Sequence, residues 1–209
     1  PWVLLARARA LRAAGRPADA IADLRLALSL GPDYSFHPRC ARLVDRLRKD
    51  PAWEPARRLR VALLGSTTTA LLAPVIAATA FRDGIEVDVY EGPYGGYAQE
   101  ILNPESALYR FAPDVVVLVL NRRDAALPPA EGGAQAADFV QRLRSLWSAL
   151  QGRIPCHVIQ VGPDVGPAGP WGVLEDQLPT GRGRLLRQIK DRLTDDLPPG
   201  VSFVDVDRV

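Results

Sequence analysis

A glycine followed by four hydroxyl side chains, at residues 65–69, is the first stretch of the chain that could carry chemistry. The apolar run before it, 59–64, is typical of a strand buried on both faces. A strand that ends in a glycine turn and opens a helix presents backbone N–H groups that favour an anion or a developing oxyanion. Ser66 and Thr67 are the candidate nucleophiles of this turn. The alternative is that the hydroxyls only cap a helix predicted over 69–82.

Polar side chains also follow the clearest strand pattern in the sequence, 114–120. Asn121 and Asp124 come directly after it and can hydrogen-bond a hydroxyl or an oxyanion. Ligands of open parallel sheets lie beyond the carboxyl ends of the strands, where the winding reverses. We therefore expect Asn121 and Asp124 to face Ser66 and Thr67 across a crevice. The alternative is that these loops are polar as they are in any doubly wound fold.

Further residues are candidates for binding substrate in the same crevice. They are loop glycines and polar side chains near the predicted strand ends: Gly65, Gly95, Gly96, Tyr97 and Arg123. The loops 91–97 and 162–172 are expected to form the walls of the crevice. A turn with core-facing tyrosines is an equally good interpretation of the first loop.

Strands alternate with helices from residue 59 onward, which predicts a parallel sheet with right-handed crossovers. The predicted strands are 59–64, 85–90, 114–120, 155–161 and 201–206. The predicted helices are 69–82, two short ones ending near Phe111, 134–150 and 181–194. Five strands in this arrangement favour an α/β domain of the flavodoxin-like, three-layer type with strand order 2-1-3-4-5.

The first 50 residues form a small all-α appendage in this interpretation, and 51–58 form a proline-punctuated linker. Apolar stripes predict helices over 3–14, 18–30 and 38–49. The first two resemble a tetratricopeptide-type hairpin at five positions: Trp2, Gly15, Ala20, Ala27 and Pro32. One repeat cannot bury its own face, so we expect it to pack on the α/β body, on a twin subunit or on helices further upstream.

Charge is distributed unevenly along the chain. Residues 1–60 carry 13 basic and 6 acidic side chains, a net charge of +7, and the remainder carries 13 and 18, a net charge of −5. The basic piece could dock on an acidic partner, or it could be a solvated surface. No aromatic side chains alternate with the basic clusters, which disfavours nucleic-acid binding.

Membrane and redox signals point to the cytoplasm. No apolar run reaches the roughly 18 residues that a membrane span needs. The two cysteines, Cys40 and Cys156, have no metal-ligand spacing and are expected to be small apolar side chains in a reducing cytoplasm.

Several segments resemble the N-terminal region of FkbH-like proteins. They are 61–69, 87–109 with the sequence YEGPYGGYAQEILNPESALY at 90–109, 113–116 and 204–207. The resemblance covers about residues 59–209. It implies an SGNH-hydrolase-type α/β domain, followed in that family by a HAD-superfamily (subfamily IIIC) phosphatase-like domain with a DxDxT motif. No DxDxT occurs here, so we expect the N-terminal part of a longer enzyme, with Mg²⁺ in its HAD domain and no cofactor in this one.

The family resemblance also implies an activity and partners. Several FkbH-like proteins form glyceryl-type carrier-protein thioesters for polyketide pathways from a phosphorylated three-carbon precursor. The expected partners are therefore an acyl carrier protein with its phosphopantetheine arm, a phosphorylated three-carbon acyl substrate and the downstream HAD domain. A homodimer is also possible, whereas nucleic acid and membrane are not expected.

The first SGNH motifs map onto this sequence with shifts. The Gly-Asp-Ser block corresponds to Gly65-Ser66-Thr67, which puts Thr67 at the nucleophile position and leaves Ser66 able to serve by a one-residue shift. The resemblance implies that Gly95 or Gly96 donates its N–H to the oxyanion.

The later SGNH motifs are incomplete. In the Gly-x-Asn-Asp block only Asp124 is in register, although Asn121 or Arg123 could still hydrogen-bond an oxyanion. The closing Asp-x-x-His is absent: Asp205 and Asp207 lie near its place without a histidine. His157 falls in an apolar strand and is interpreted as a sheet histidine rather than a base.

Three hypotheses remain open from the sequence. In the first, Ser66 or Thr67 accepts an acyl group or hydrolyses one. In the second, the crevice only positions a carrier protein's pantetheine arm or an acyl phosphate for the HAD domain. In the third, residues 1–60 mediate dimerisation or docking and the α/β body is a scaffold.

Overall fold

The structure is a computed structural model, described here for residues 1–31, 33–125, 132–166, 172, 174, 177–178 and 181–208, without the side chains of 132–135. Its helices are α1 (Trp2–Ala13), α2 (Pro17–Ser29), α3 (Phe36–Leu47), α4 (Ala73–Arg82), α5 (Tyr97–Leu102), α6 (Ala107–Phe111), α7 (Gly132–Gln151) and α8 (Arg182–Thr194). Its strands are β1 (Arg57–Gly65), β2 (Ile85–Glu91), β3 (Val115–Val119), β4 (His157–Val161) and β5 (Val201–Val204). A 3₁₀ turn, Val206–Arg208, follows β5.

The five strands form one parallel sheet in the order β2-β1-β3-β4-β5. This confirms the predicted α/β class and the predicted strand order. Val119 of β3 is in register with Val161 of β4, which is in register with Val204 of β5. The carboxyl ends of these three strands are therefore level, so the residues that follow them lie along the same edge of the sheet.

The chain divides into two compact units, and the first comprises residues 1–61 and 69–91. Helices α1 to α3 bury their apolar stripes in one core with α4, which includes Leu24, Phe36 and Leu47. Trp53 stacks on Phe81 of α4 with ring centroids 4.3 Å apart. The N-terminal helices thus pack on an element of the α/β sequence, one of the three predicted arrangements. Their likeness to a tetratricopeptide repeat stays a prediction, and Pro32 lies outside the described residues.

The second unit comprises residues 62–68 and 92–209. Its described core is built from alternate residues of β3 and β4 and from one face each of α7 and α8, including Leu118, Val158 and Leu186. The buried indole of Trp147 donates to Gln160 Oε1 at 3.1 Å, and Gln160 Nε2 donates to Val161 O at 2.9 Å. This buried amide is satisfied, so it fixes the end of β4 without the cost of an unpaired polar group.

The helix after β1 begins later than predicted. It was expected from residue 69, but α4 begins at Ala73 with Leu72 as its N-cap and no side-chain cap. Three consecutive threonines disfavour helix, and Pro74 suits the first turn instead. The prediction that the hydroxyls of 66–69 cap this helix is therefore wrong, and so is the predicted start of the helix at residue 69.

The ends of the other elements differ from the predictions by a few residues. β1 begins at Arg57, inside the predicted linker, and Trp53 of that linker is buried. β5 ends at Val204 instead of 206 because the next residues turn into the 3₁₀ segment.

Both cysteines are free and buried, and burial raises the pKa of each thiol to about 11. They are therefore unreactive thiols at neutral pH, as the sequence indicated. Among the described helices, none combines the length and the apolar character that a membrane crossing requires.

Candidate active site

Ser66 lies at the centre of a polar cluster beyond the ends of β1 and β3. Its Oγ donates a hydrogen bond to Oδ2 of Asp124, and it accepts one from Asn121 Nδ2 at 3.1 Å. The backbone N–H of Asn121 donates to the same Asp124 oxygen at 2.8 Å. The structure therefore brings together three of the four residues that the sequence singled out as catalytic. All three are partly exposed, so a ligand can reach them.

The segment after β3 holds the amide of Asn121 in one orientation. Asn121 Oδ1 accepts the N–H of Arg123 at 2.7 Å, and its backbone O accepts the N–H of Asp124 at 3.1 Å. Because Oδ1 faces an N–H donor, Nδ2 must face Ser66. The side chain of Arg123 is exposed, so what this residue supplies to the cluster is its backbone.

Gly65 fits a place where any side chain would collide with β3. A Cβ at residue 65 would lie 2.2 Å from Val119 O, and the N–H of Ser66 donates to that same oxygen at 3.1 Å. This close approach aims the Ser66 side chain at the residues after β3. It also commits the Ser66 N–H to the sheet, so this N–H is not an oxyanion donor.

The two glycines predicted to stabilise an oxyanion use their N–H groups within the loop itself. Gly95 N donates to Gly65 O and Gly96 N donates to Pro93 O, each at 3.0 Å. Their expected role as N–H donors is therefore not supported by this geometry. Gly95 has φ of +69° and Gly96 is the N-cap of α5, so both shape the turn that leads to Tyr97.

Thr67, the fourth predicted catalytic residue, stands apart from this cluster. Within the described residues, neither its hydroxyl nor its backbone N–H has a hydrogen-bond partner, and the N–H of Thr68 also has none. These two N–H groups follow Ser66 directly. Within the described residues they are backbone donors, next to Ser66 in sequence, that remain available to an incoming oxygen.

Tyr97 and Arg142 flank Asp124. Burial raises the pKa of the Tyr97 phenol, and the charge of Asp124 raises it further, so the phenol is neutral at physiological pH. Arg142 of α7 donates from Nη2 to Asp124 O at 2.7 Å. Tyr97 was predicted as a substrate-binding residue, and its position beside Asp124 is consistent with that prediction. Nothing in the sequence pattern singled out Arg142, which belongs to α7 and is separated from Asp124 in sequence.

Arg122 links the site to the loop after β4. Its Nη1 donates to Asp164 Oδ2 at 2.7 Å, and a Cβ at Gly166 would lie 1.7 Å from the same nitrogen. Gly166, with φ of +72°, therefore leaves room for the guanidinium. The loop 162–172 was expected to be a wall of the crevice, and two of its described residues, Asp164 and Gly166, meet Arg122. Residues 167–171 lie outside the described part.

A second polar cluster lies beyond the end of β5, where the sequence placed the incomplete final motif. Buried Lys190 of α8 donates to Asp205 Oδ1 at 2.6 Å and to Asp207 Oδ2. Burial alone would raise the pKa of Asp205, but the hydrogen bond from Lys190 lowers it below the ordinary value of 3.8. Asp207 also accepts the N–H of Val165 at 3.0 Å. The cluster thus joins α8, β5 and the loop that carries Asp164.

Neither of the chain's two histidines is a hydrogen-bond partner of Ser66. His157 is exposed at the start of β4, where its Nε2 meets Ser202 Oγ at 2.8 Å. His37 Nδ1 meets the backbone oxygen of Asp33 at 3.2 Å. The interpretation of His157 as a sheet histidine agrees with this position. The group that accepts the hydrogen bond of the Ser66 hydroxyl is therefore a carboxylate, that of Asp124.

The cluster can polarise a hydroxyl and stabilise charge on an attacked carbonyl. Asp124 accepts the hydrogen bond of the Ser66 hydroxyl. The side-chain amide of Asn121 and the neighbouring backbone N–H groups are donors for a developing oxyanion. A carboxylate is generally a weaker base than an imidazole. Such a site is better matched to an activated acyl group than to an amide, because an activated leaving group needs no protonation. Within the described residues, no group of three or more potential ligands could hold a metal ion.

The described fold is an α/β domain with a five-stranded parallel sheet, and its candidate site contains a serine–carboxylate pair. Residues 60–160 match the family model described as FkbH, N-terminal domain. No curated protein sequence matches the chain significantly.

One solved structure has a similar fold over most of this chain. The N-terminal part of the protein BF1531 from Bacteroides fragilis, described as containing a phosphatase domain complexed with Mg, aligns with a TM-score of 0.68 at 20% identity. The alignment covers 84% of this chain and 45% of that one. The chain thus spans less than half the length of that solved protein.

Two hydrolases are also among the structural matches, at lower similarity. A GDSL-like lipase from Bacteroides thetaiotaomicron aligns over 83% of this chain and 78% of its own, with 17% identity and a TM-score of 0.40. A catalytic mutant of the acetylxylan esterase Axe2 from Geobacillus stearothermophilus aligns over 70% and 75%, with 17% identity and a TM-score of 0.42.

Proposed function

We propose that this domain acts on an activated acyl group on its way to an acyl carrier protein, with Ser66 as the acyl-accepting residue. The observation that carries the proposal is the hydrogen bond from Ser66 Oγ to Asp124, made beside the amide of Asn121. The FkbH-like family and the phosphorylated three-carbon precursor that the resemblance implies supply the substrate class. The product in this proposal is a glyceryl-type carrier-protein thioester used in polyketide-type biosynthesis.

The proposed step balances with the residues present. Ser66 Oγ attacks the acyl carbon of an acyl phosphate or thioester, and its proton passes to Asp124. The bond from the acyl carbon to phosphate oxygen or to sulfur breaks, and the electron pair leaves with phosphate or thiolate. The pantetheine thiol of the carrier then attacks the serine ester. Before this attack, Asp124 gives its first proton to the departed phosphate or thiolate. The thiol proton then passes to Asp124, and Asp124 delivers it to Ser66 Oγ as the ester bond to Ser66 breaks.

The contact between the backbone N–H of Asn121 and Ser66 Oγ is too weak to prevent this attack. The backbone N–H of Asn121 lies 3.4 Å from Ser66 Oγ, at the limit of a hydrogen bond. One lone pair of the oxygen is therefore weakly engaged. Asn121 Nδ2 and the N–H groups of Thr67 and Thr68 are the donors that would meet the oxyanion, and Arg123 and Tyr97 would contact the remainder of the substrate.

A non-catalytic pocket is the second candidate, and one observation favours it. Neither histidine is a hydrogen-bond partner of Ser66, so the site lacks the group that completes an SGNH triad. In that case the crevice holds the pantetheine arm or the acyl phosphate for a downstream HAD-type domain. The expected Mg²⁺ would bind in that HAD-type domain. A scaffold or dimerisation role for the helices is the remaining alternative. We place the protein in the cytoplasm, where its buried free thiols stay reduced.

The experiment that tests the proposal compares Ser66→Ala with Thr67→Val in the full-length protein. Transfer of the acyl group to the carrier is followed by intact-protein mass spectrometry. We expect Ser66→Ala to lose transfer and to keep carrier binding, because only the nucleophile is removed. Thr67→Val conserves shape and is expected to stay close to wild type. Full transfer by Ser66→Ala would leave the pocket as a binding site only.

A further inference from the structure

Helix α3 carries a row of three arginines on its outer face. Arg39, Arg42 and Arg46, named here the α3 arginine row, are spaced by three and four residues and are all exposed. That spacing places them on one side of the helix over about 10 Å. The apolar residues of the helix are buried on its other side. Like charges at these spacings repel, so the row gains nothing from its own helix.

Two nearby arginines, Arg48 and Arg58, have acidic partners, whereas the row has none among the residues that the structure describes. Arg48 Nε lies 3.8 Å from Oδ1 of Asp45, the one acidic residue of α3, and Arg48 Nη2 lies 3.6 Å from Asp88 Oδ1. Arg58, which the sequence placed in a candidate docking face, lies 3.2 Å from Glu86. Among the residues described here, no carboxylate lies within ion-pair distance of the α3 arginine row.

Helix α1 adds a fourth cation and an aromatic ring to this surface. Arg9 Nη2 donates to Arg39 O at 3.0 Å, which brings its guanidinium over α3. The Trp2 side chain is 48% exposed, meets Phe36 edge-on at 4.9 Å, and has the Arg39 guanidinium 5.3 Å from its ring centroid. Tryptophan and arginine are the residues that most often dominate binding at protein interfaces.

We propose that the α3 arginine row, with Arg9 and Trp2, is the docking surface for an acidic helix of the acyl carrier protein. The inference rests on the proposed function for the identity of the partner. Charge complementarity carries it: four cations that have no carboxylate partner within the described part of the chain fit one acidic stripe about two helical turns long. A nucleic acid is disfavoured because one short row can neutralise only a few phosphates.

The test measures binding of the full-length protein to a fluorescently labelled apo acyl carrier protein, which has no pantetheine thiol. Arg42→Glu/Arg46→Glu is compared with Arg184→Glu/Arg192→Glu, which makes the same charge change at exposed positions of α8. We expect the first pair to weaken binding about tenfold or more and the second to have little effect. Arg42→Lys/Arg46→Lys is expected to keep most of the affinity, since it keeps the charge. Circular dichroism checks that each variant is folded.

Salt and competitors provide the second arm of the test. Binding is expected to weaken as salt rises from about 50 to about 300 mM, because exposed ion pairs are screened. Equal weakening by the two double reversals, absence of carrier binding, or stronger binding of duplex DNA to the same residues would overturn the docking surface. Failure of the acyl-transfer proposal is distinguishable, since Ser66→Ala then keeps transfer while the binding results stand on their own.

Discussion

Two carboxylates at the carboxyl edge of the sheet have different partners. Asp124, after β3, accepts hydrogen bonds from the neutral Ser66 hydroxyl and the Asn121 backbone. Asp205, after β5, is bound by the buried ammonium of Lys190. The ammonium ion of Lys190 holds Asp205 in its charged form, whereas among the described residues no cation bonds to the carboxylate oxygens of Asp124. The first cluster is therefore suited to chemistry and the second to holding the fold.

The second cluster also supports the first through the chain. Lys190 and the N–H of Val165 meet at Asp207, and the next residue back, Asp164, binds Arg122 beside Asn121. A stabilising ion cluster thus orders the loop that positions a residue of the candidate site. Changes in the first cluster should act on activity, and changes in the second mainly on stability.

Replacing Asp124 with asparagine should have the largest effect. The amide cannot accept the Ser66 proton, so acyl transfer is expected to fall about a hundredfold or more. The backbone N–H of Asn121 can still find an oxygen at this position, so the unfolding free energy should change little. Transfer kinetics and urea unfolding measure the two quantities. A variant that keeps full activity would remove the distinction between the two carboxylates.

Lys190→Met should have the largest effect on stability. It leaves the partly buried carboxylate of Asp205 and the more exposed one of Asp207 without their ammonium partner, and we expect a loss of about 3 kcal/mol in unfolding free energy. The control is Lys190→Met combined with Asp205→Asn and Asp207→Asn, which removes the charges and should recover much of the loss. If the triple variant is no more stable than the single one, packing rather than charge accounts for the effect.

Gly166→Ala should have an intermediate effect on both acyl-transfer activity and unfolding free energy. The new Cβ would collide with Arg122, and the positive φ disfavours alanine by about 1–2 kcal/mol. Gly15→Ala is the matched control, because Gly15 has the same φ of +72° and no atom near its would-be Cβ. Both variants should lose stability, but we expect only Gly166→Ala to raise KM. Equal KM values would show that the position of Arg122 does not matter for substrate.

The smallest expected effect is a pH dependence confined to the second cluster. The pKa of Asp205 is lowered in the folded state, so its contribution to stability is present above about pH 4 and is lost as pH falls through the folded value. The gap in unfolding free energy between wild type and Asp205→Asn should therefore be constant above about pH 5 and should close as pH falls below about 4. Ser66→Ala should parallel the wild type over this range. A gap between wild type and Asp205→Asn that stays constant below about pH 4 would contradict the lowered pKa.

Strand patterns carried most of the correct predictions. Valine-rich runs and their regular alternation with helices led to the five-stranded parallel sheet and its order. From that order alone, Ser66, Asn121 and Asp124 were expected at one edge, because strand ends in a parallel sheet meet there. Backbone topology is thus encoded in short-range patterns that a single sequence displays.

Side-chain partners were beyond the reach of the same patterns. Whether Ser66 or Thr67 faces Asp124 depends on the turn at Gly65, and the late start of α4 was hidden by a run of residues that could have capped a helix. Arg142 and Lys190 come from helices far along the chain, and no spacing rule connects them to strand ends. The pairing of Arg58 with Glu86 is likewise a tertiary contact, and it moved the candidate docking face to α3.

Tandem mass spectrometry of the full-length protein after incubation with an acyl-phosphate donor tests the central claim most directly. The tryptic peptide 61–82 contains both Ser66 and Thr67, and fragment ions distinguish the two. We expect the acyl mass on Ser66, and we expect it to be absent from Asp124→Asn. An acyl group on Thr67, or efficient transfer to the carrier with neither residue ever modified, would contradict the assignment of Ser66.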